Sequence, residues 1–143
     1  MTDLSEALQD RDNRKAYALT REIAAQSAAS DRFYADFDTF VRLITSKSSY
    51  VRTRGFVLCC AQARWDQQGR LAAALPLLLK LLHDEKPTVV RQCLAALQEV
   101  ALYRPELCDA ILSELAAMDL SGYRDSMSPL IQRDMDELLT LME

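Results

Sequence analysis

The chain is poor in the residues that interrupt regular structure: three glycines and four prolines among 143 residues. That scarcity argues against disorder and against a turn-rich β fold. With Gly55, Gly69 and Gly122 as the only glycines, no GxGxxG or Walker-type phosphate loop can be written. Histidine occurs once, at His83. A lone histidine cannot build a multi-histidine metal centre, and a triad would need a nucleophile beside it. Cys59, Cys60, Cys93 and Cys108 form no CxxC. Each falls in a helical pattern among apolar neighbours, which reads as buried thiols in a reducing compartment. Cys59 and Cys60, being adjacent, point in different directions around a helix. No metal or cofactor is implied, and no catalytic constellation emerges. The expected chain is not an enzyme.

Long apolar runs are also missing. Leu71 to Leu82 is the most apolar stretch, and Pro76 and Lys80 interrupt it. Its twelve residues fall short of the ~20 that cross a bilayer. Met1 to Gln9 has no basic start and no apolar block, so it does not read as a secretory leader. The expectation is a cytoplasmic protein with no membrane association. Seventeen basic and 21 acidic residues give a net charge of −4. That mild excess favours solubility and disfavours general nucleic-acid binding, although a local basic stripe could sit within it.

What the chain has in abundance is helix-forming sequence. Half of it is hydrophobic, and Ala, Leu, Glu, Gln, Arg and Met recur throughout. The length suits one domain, residues 1–143. Eight helical segments can be drawn from apolar periodicity and punctuation. They run Thr2 to Gln9, Asp12 to Ala28, Arg32 to Ile44, Tyr50 to Trp65, Leu71 to Leu82, Pro87 to Tyr103, Pro105 to about Leu115, and Pro129 to Leu141. Ser30-Asp31, Ser48 or Ser49, and Ser128 are the expected N-caps. Pro87, Pro105 and Pro129 suit first helical turns, and Pro76 should kink its helix. The middle of the fourth helix, Gly55 to Ala61, is apolar on every side and should be covered all round. Leu58 and Leu97 should be buried, and helix should exceed ~60% of the chain.

Two of these helices repeat a signal. Val51-Arg52 opens the fourth and Val90-Arg91 opens the sixth, 39 residues later. Ala16 holds the corresponding place in the second helix, 35 residues before Val51. A period in this range, in a chain with no strand pattern, marks stacked helix pairs. Leu81-Leu82-His83-Asp84-Glu85-Lys86-Pro87-Thr88-Val89-Val90-Arg91, with Pro76 upstream, resembles a HEAT repeat. Phe37 to Trp65 keeps Val51-Arg52 but lacks the proline and has Thr45 where the pattern has Asp. The resemblance implies an all-α, right-handed α-solenoid of about four HEAT-like pairs. Three other segments resemble a group of small bacterial HEAT-like proteins that sometimes carry a SufBD, iron–sulfur assembly label. They are Ser49 to Phe56, Ala63 to Asp66 and Asp125 to Leu130.

The resemblance also assigns roles. Asp84 and Arg91 are expected to form a structural ladder between repeats, where the guanidinium fork satisfies several acceptors. Arg52 and Arg54 have no acid at the matching place, so they are expected to face a ligand. Second helices line the concave face of HEAT arrays, and Tyr50, Arg52, Arg54, Arg64, Trp65 and Gln92 are the candidate binding residues there. A solvated rim with ordinary salt bridges is the plain alternative. Trp65 and Asp66 also resemble the aromatic and acidic pair of HEAT-type DNA glycosylases. A Trp at a helix end more often packs beneath the next element. Asp134, Asp136 and Glu137 read as an exposed helix face. The favoured function is a non-catalytic scaffold or adaptor that binds another protein, with a homo-oligomer left open. A nucleic-acid-binding HEAT domain of the lesion-recognition type and an accessory of iron–sulfur assembly are the alternatives.

Overall fold

A computed structural model describes residues 3–143. All regular structure among them is helical, and helix makes up 73% of the structure. The eight helices are α1 (Leu4–Leu8), α2 (Asn13–Ser27), α3 (Phe37–Leu43), α4 (Ser49–Ala61), α5 (Arg70–Leu79), α6 (Pro87–Tyr103), α7 (Cys108–Ala116) and α8 (Ser128–Leu141). Short 3-10 turns at Tyr34–Asp36, Ala63–Trp65, Lys80–His83 and Pro105–Leu107 join or extend them. Thr2, the expected start of the first helix, lies outside the described residues.

Local chemistry explains most of the boundaries. Asp3, Asp12 and Ser48 each accept a backbone N–H from the first turn of α1, α2 and α4. Pro87 occupies the start of α6, where a missing donor costs nothing. Gly69 precedes α5 at φ 73°, a left-handed conformation that glycine adopts freely. The real cap of α5 is Asp66, whose two carboxylate oxygens accept from Arg70 N–H and Leu71 N–H at 3.0 Å each.

Two expected caps act differently. Ser30 Oγ accepts from Arg32 N–H, but a 3-10 turn follows and α3 begins only at Phe37. Ser128 lies inside α8 and its hydroxyl donates back to Leu120 O at 3.0 Å. It ties the preceding irregular segment to the helix instead of capping it.

The core is continuous. α4 packs against α2, α3 and α6, and α6 packs against α4 and α8. Phe37, Phe40, Phe56, Leu58, Leu94 and Leu97 are fully buried in it. Gly55 lets α3 approach α4: a Cβ there would stand 2.6 Å from Phe40 O and 2.8 Å from Leu43 Cβ. α4 is not covered all round, however. Tyr50 is exposed and Val57 and Ala61 are half-buried, along one stripe between α2 and α6. That uncovered stripe is where the candidate site lies.

Candidate functional site: a groove between α2, α4 and α6

The exposed stripe of α4 forms the floor of a groove of about 780 Å³, walled by α2 and α6. Residues at the starts of the three helices, Asn13, Ser49 and Lys86 just before α6, line it together with residues further along, such as Ala24, Val57 and Ala96. A smaller recess of about 120 Å³ shares Ala24, Val57 and Ala96 and continues to Ala28, Ala61 and Arg64. This ordering means the three helices run in the same direction along the groove.

One end of the groove is polar and the other apolar. Arg14, Tyr17 and Arg21 project from α2 at spacings of three and four residues, one helical stripe. It lies opposite the stripe of Ala16 and Ile23 that α2 buries. Tyr17 is 54% and Tyr50 60% exposed. The Arg21 guanidinium stands 5.9 Å from the Tyr17 ring centroid, within cation–π reach. Across the groove Lys86 Nζ donates to Ser49 Oγ at 3.0 Å. Toward the other end the walls carry small side chains, Ala24, Ala95 and Ala96, around Val57. No Asp or Glu lines the larger groove.

Arg54 forms part of the lining yet is 5% exposed. Its guanidinium donates to Leu8 O and to Asn13 Oδ1, each at 2.8 Å. It therefore fastens the end of α1 and the start of α2 onto α4. Burial lowers its pKa from the ordinary value. Arg54 was expected to lack an acidic partner and so to face a ligand; it forms no ion pair, but a backbone carbonyl and an asparagine hold it instead, which charge matching along the sequence does not reveal.

Arg52 is corrected too. Its guanidinium donates to Asp84 Oδ2 at 2.9 Å and to Ser46 O and Lys47 O at 3.1 Å. It points away from the groove, into the seam with the segment before α6. The Asp84–Arg91 ladder is not formed. Arg91 reaches Asp134 on α8, with Nε to Oδ2 at 2.6 Å. The physical reason is one of direction. Each arginine reaches toward the next even-numbered helix that its own helix packs against, and there meets an acid, Asp84 just before α6 or Asp134 on α8. Asp134, expected on an exposed face, is accordingly half-buried.

The remaining candidates divide. Tyr50 and Gln92 line the groove. Arg64 borders the smaller recess, donates to Ala28 O at 2.6 Å, and covers the Tyr103 ring at 4.4 Å. Its Nε, and Glu99 Oε2 beside it, have no hydrogen-bond partner. Trp65 is outside the groove, and its indole donates to Ser27 O at 2.7 Å. Asp66 accepts from the Tyr34 hydroxyl as well as from α5, and this raises the Tyr34 pKa to about 12, with burial the larger cause. Trp65 and Asp66 thus fasten neighbouring elements, and neither reaches the surface where a base would lie.

Missed by the sequence reading were Arg14, Tyr17, Arg21 and Lys86. The signal was present in α2, as a polar stripe opposite its apolar one.

The buried groups offer little chemistry. Cys59, Cys60 and Cys93 are buried, and burial pushes all three thiols up. His83 stands 2.5 Å from Glu114 and joins the turn after α5 to α7. Among the described residues no group of three His, Cys, Asp or Glu is placed to hold a metal ion. No helix among them is long and apolar enough to cross a membrane. No protein-family model matches the chain, and neither a curated protein nor a solved structure matches it.

Proposed function

We propose that this chain is a HEAT-like array of four helix pairs that works in the cytoplasm as a non-catalytic adaptor, holding a segment of another protein in the α2/α4/α6 groove. The observation that carries the reading is the groove itself. It is an open channel of about 780 Å³ on an otherwise packed helix layer, with two exposed tyrosines at its polar end. Concave, mostly apolar surfaces with a few placed polar groups are the usual form of a binding site. Tyrosine suits such a surface because it brings large contact area with few torsions to freeze. The 39-residue recurrence of Val-Arg and the row of even-numbered helices support the array.

A photo-crosslinking residue at Tyr50, inside the groove, can be compared with one at Leu112, exposed on α7. The Tyr50 position should give discrete protein adducts in native cell extract, and Ala95→Trp, which fills the groove, should remove them. Adducts of equal pattern at both positions, or adducts indifferent to Ala95→Trp, would overturn the reading.

A further inference from the structure

We infer that the segment held in this groove is acidic: a peptide bearing carboxylates beside small apolar residues. The inference rests on the docking role proposed above and names the chemistry of the partner. The larger groove presents four cationic side chains, Arg14, Arg21, Arg54 and Lys86, and no carboxylate in its lining. The chain as a whole is acidic, at −4. Cations gathered in one channel of an acidic protein are not what surface averaging produces.

Nor are they used up at home. Arg54 is committed to Leu8 and Asn13. Arg14, Arg21 and Lys86 form no ion pair among the described residues. Asp10 acts on Arg54 electrostatically but stays outside the lining. Its Oδ1 accepts from Asp12 N–H, and its Oδ2 stands 3.8 Å from Lys15 Nζ. The groove therefore carries uncompensated positive charge, which an anionic occupant would complement.

Geometry then favours a peptide over a nucleic acid. Positive charge without a carboxylate partner is confined to one end, since Arg64 at the other is paired with Glu99, and the walls between them carry alanines and Val57. A phosphate backbone needs a continuous positive track along its length. A peptide can place carboxylates over Arg14, Arg21 and Lys86 and set small side chains against Ala24, Ala95 and Ala96. Beyond that apolar end Glu99 Oε2 stands 3.7 Å from Arg64 Nη2, so the two charges there offset each other and offer an anion no free cation.

Selection of displayed random short peptides on the intact chain tests the inference. Enriched peptides should carry two or more Asp or Glu beside small apolar residues. As synthetic peptides, their Glu→Gln forms should bind about tenfold more weakly, the sum expected of a few exposed ion pairs. The triple variant Arg14→Ala, Arg21→Ala, Lys86→Ala should show a similar loss with an unchanged melting curve, and added salt should weaken the wild-type complex. Enrichment of neutral or basic peptides that Ala95→Trp abolishes would overturn the acidic inference and leave the docking role standing. Peptides indifferent both to Ala95→Trp and to the triple variant would remove the groove as a docking site altogether. Should a short oligothymidylate bind more tightly than any peptide, with the same dependence on salt and on the three cations, the groove is a nucleic-acid site and the inference falls. If Ala95→Trp loses its melting transition, Thr88→Trp on the exposed rim takes its place.

Discussion

The two Val-Arg dipeptides open α4 and α6 at equivalent places, yet their arginines are held very differently. The Arg52 side chain is 20% exposed and that of its partner Asp84 only 9%. Arg91 is 37% exposed and Asp134 17%. Arg52 also satisfies two loop carbonyls. Asp84 accepts from Lys86 N–H through its other oxygen, and its backbone carbonyl accepts from the Tyr123 hydroxyl. The central seam is therefore a hub joining α4, the loop before α6 and the segment before α8. The C-terminal seam is a forked pair and no more. A repeated dipeptide fixes where an arginine reaches, and the surroundings decide what that reach stabilises. The same pair energy means little in water and more where the partners are shielded from it.

The largest expected effect strikes both seams at once. Leu97 is fully buried on α6, which packs against α4 on one side and α8 on the other. Leu97→Ala should cost roughly 2–5 kcal/mol, the range for a core leucine. A denaturant titration showing less than about half a kcal/mol would mean that α6 does not knit the two halves together.

Next comes the central layer alone. An exposed mid-helix Gly→Ala change usually stabilises by ~1 kcal/mol. At Gly55 the sign should reverse, because the new methyl would meet Phe40 O and the Leu43 side chain below ordinary contact distance. Gly55→Ala should destabilise by about 1–3 kcal/mol, as overpacking does. A raised melting temperature would show that α3 and α4 are further apart than described.

Asp84→Ala should follow at about 1–3 kcal/mol, since it strands the shielded Arg52 and uncaps Lys86 N–H. Asp134→Ala, removing the equivalent acid from the outer seam, should cost distinctly less. Thermal melts of the two variants, run side by side, would upset the comparison if Asp134→Ala proved the worse.

How much of this could be read beforehand follows from range. The helices were legible, because periodicity and proline punctuation act over a few residues: the helix expected from Pro87 to about Tyr103 is α6, Pro87–Tyr103. The burial of Leu58 and Leu97 was legible for the same reason. The pairing of charges was not. Arg52 meets Asp84 32 residues away, and Arg91 meets Asp134 43 residues away. Nothing local says whether an arginine reaches back to the acid before its helix or forward to the acid after it. Arg54 was opaque for another reason, since neither of its partners is an acid and one is a backbone carbonyl that any residue could have supplied. The groove was half legible. Tyr50 and Gln92 lie on the helices that the Val-Arg signal marks, while the α2 wall carries no such signal.

The smallest expected effect is also the sharpest test of the comparison. Arg91→Ala by itself should change stability by no more than about 1 kcal/mol, the usual span of an exposed pair. Single substitutions mix the pair with everything else each side chain touches, so the useful quantity is the coupling within each pair. Two double-mutant cycles, Arg52 with Asp84 and Arg91 with Asp134, isolate it. The central coupling should be the larger, because both partners are more shielded. It should also resist added salt, whereas the outer coupling should shrink toward zero as screening rises. Equal couplings with equal salt dependence would mean that burial does not set the strength of these links. The forward-reaching arginines would then be a repeated motif of uniform strength, and the hub at Asp84 would have to owe its stability to Tyr123 and the Lys86 cap instead.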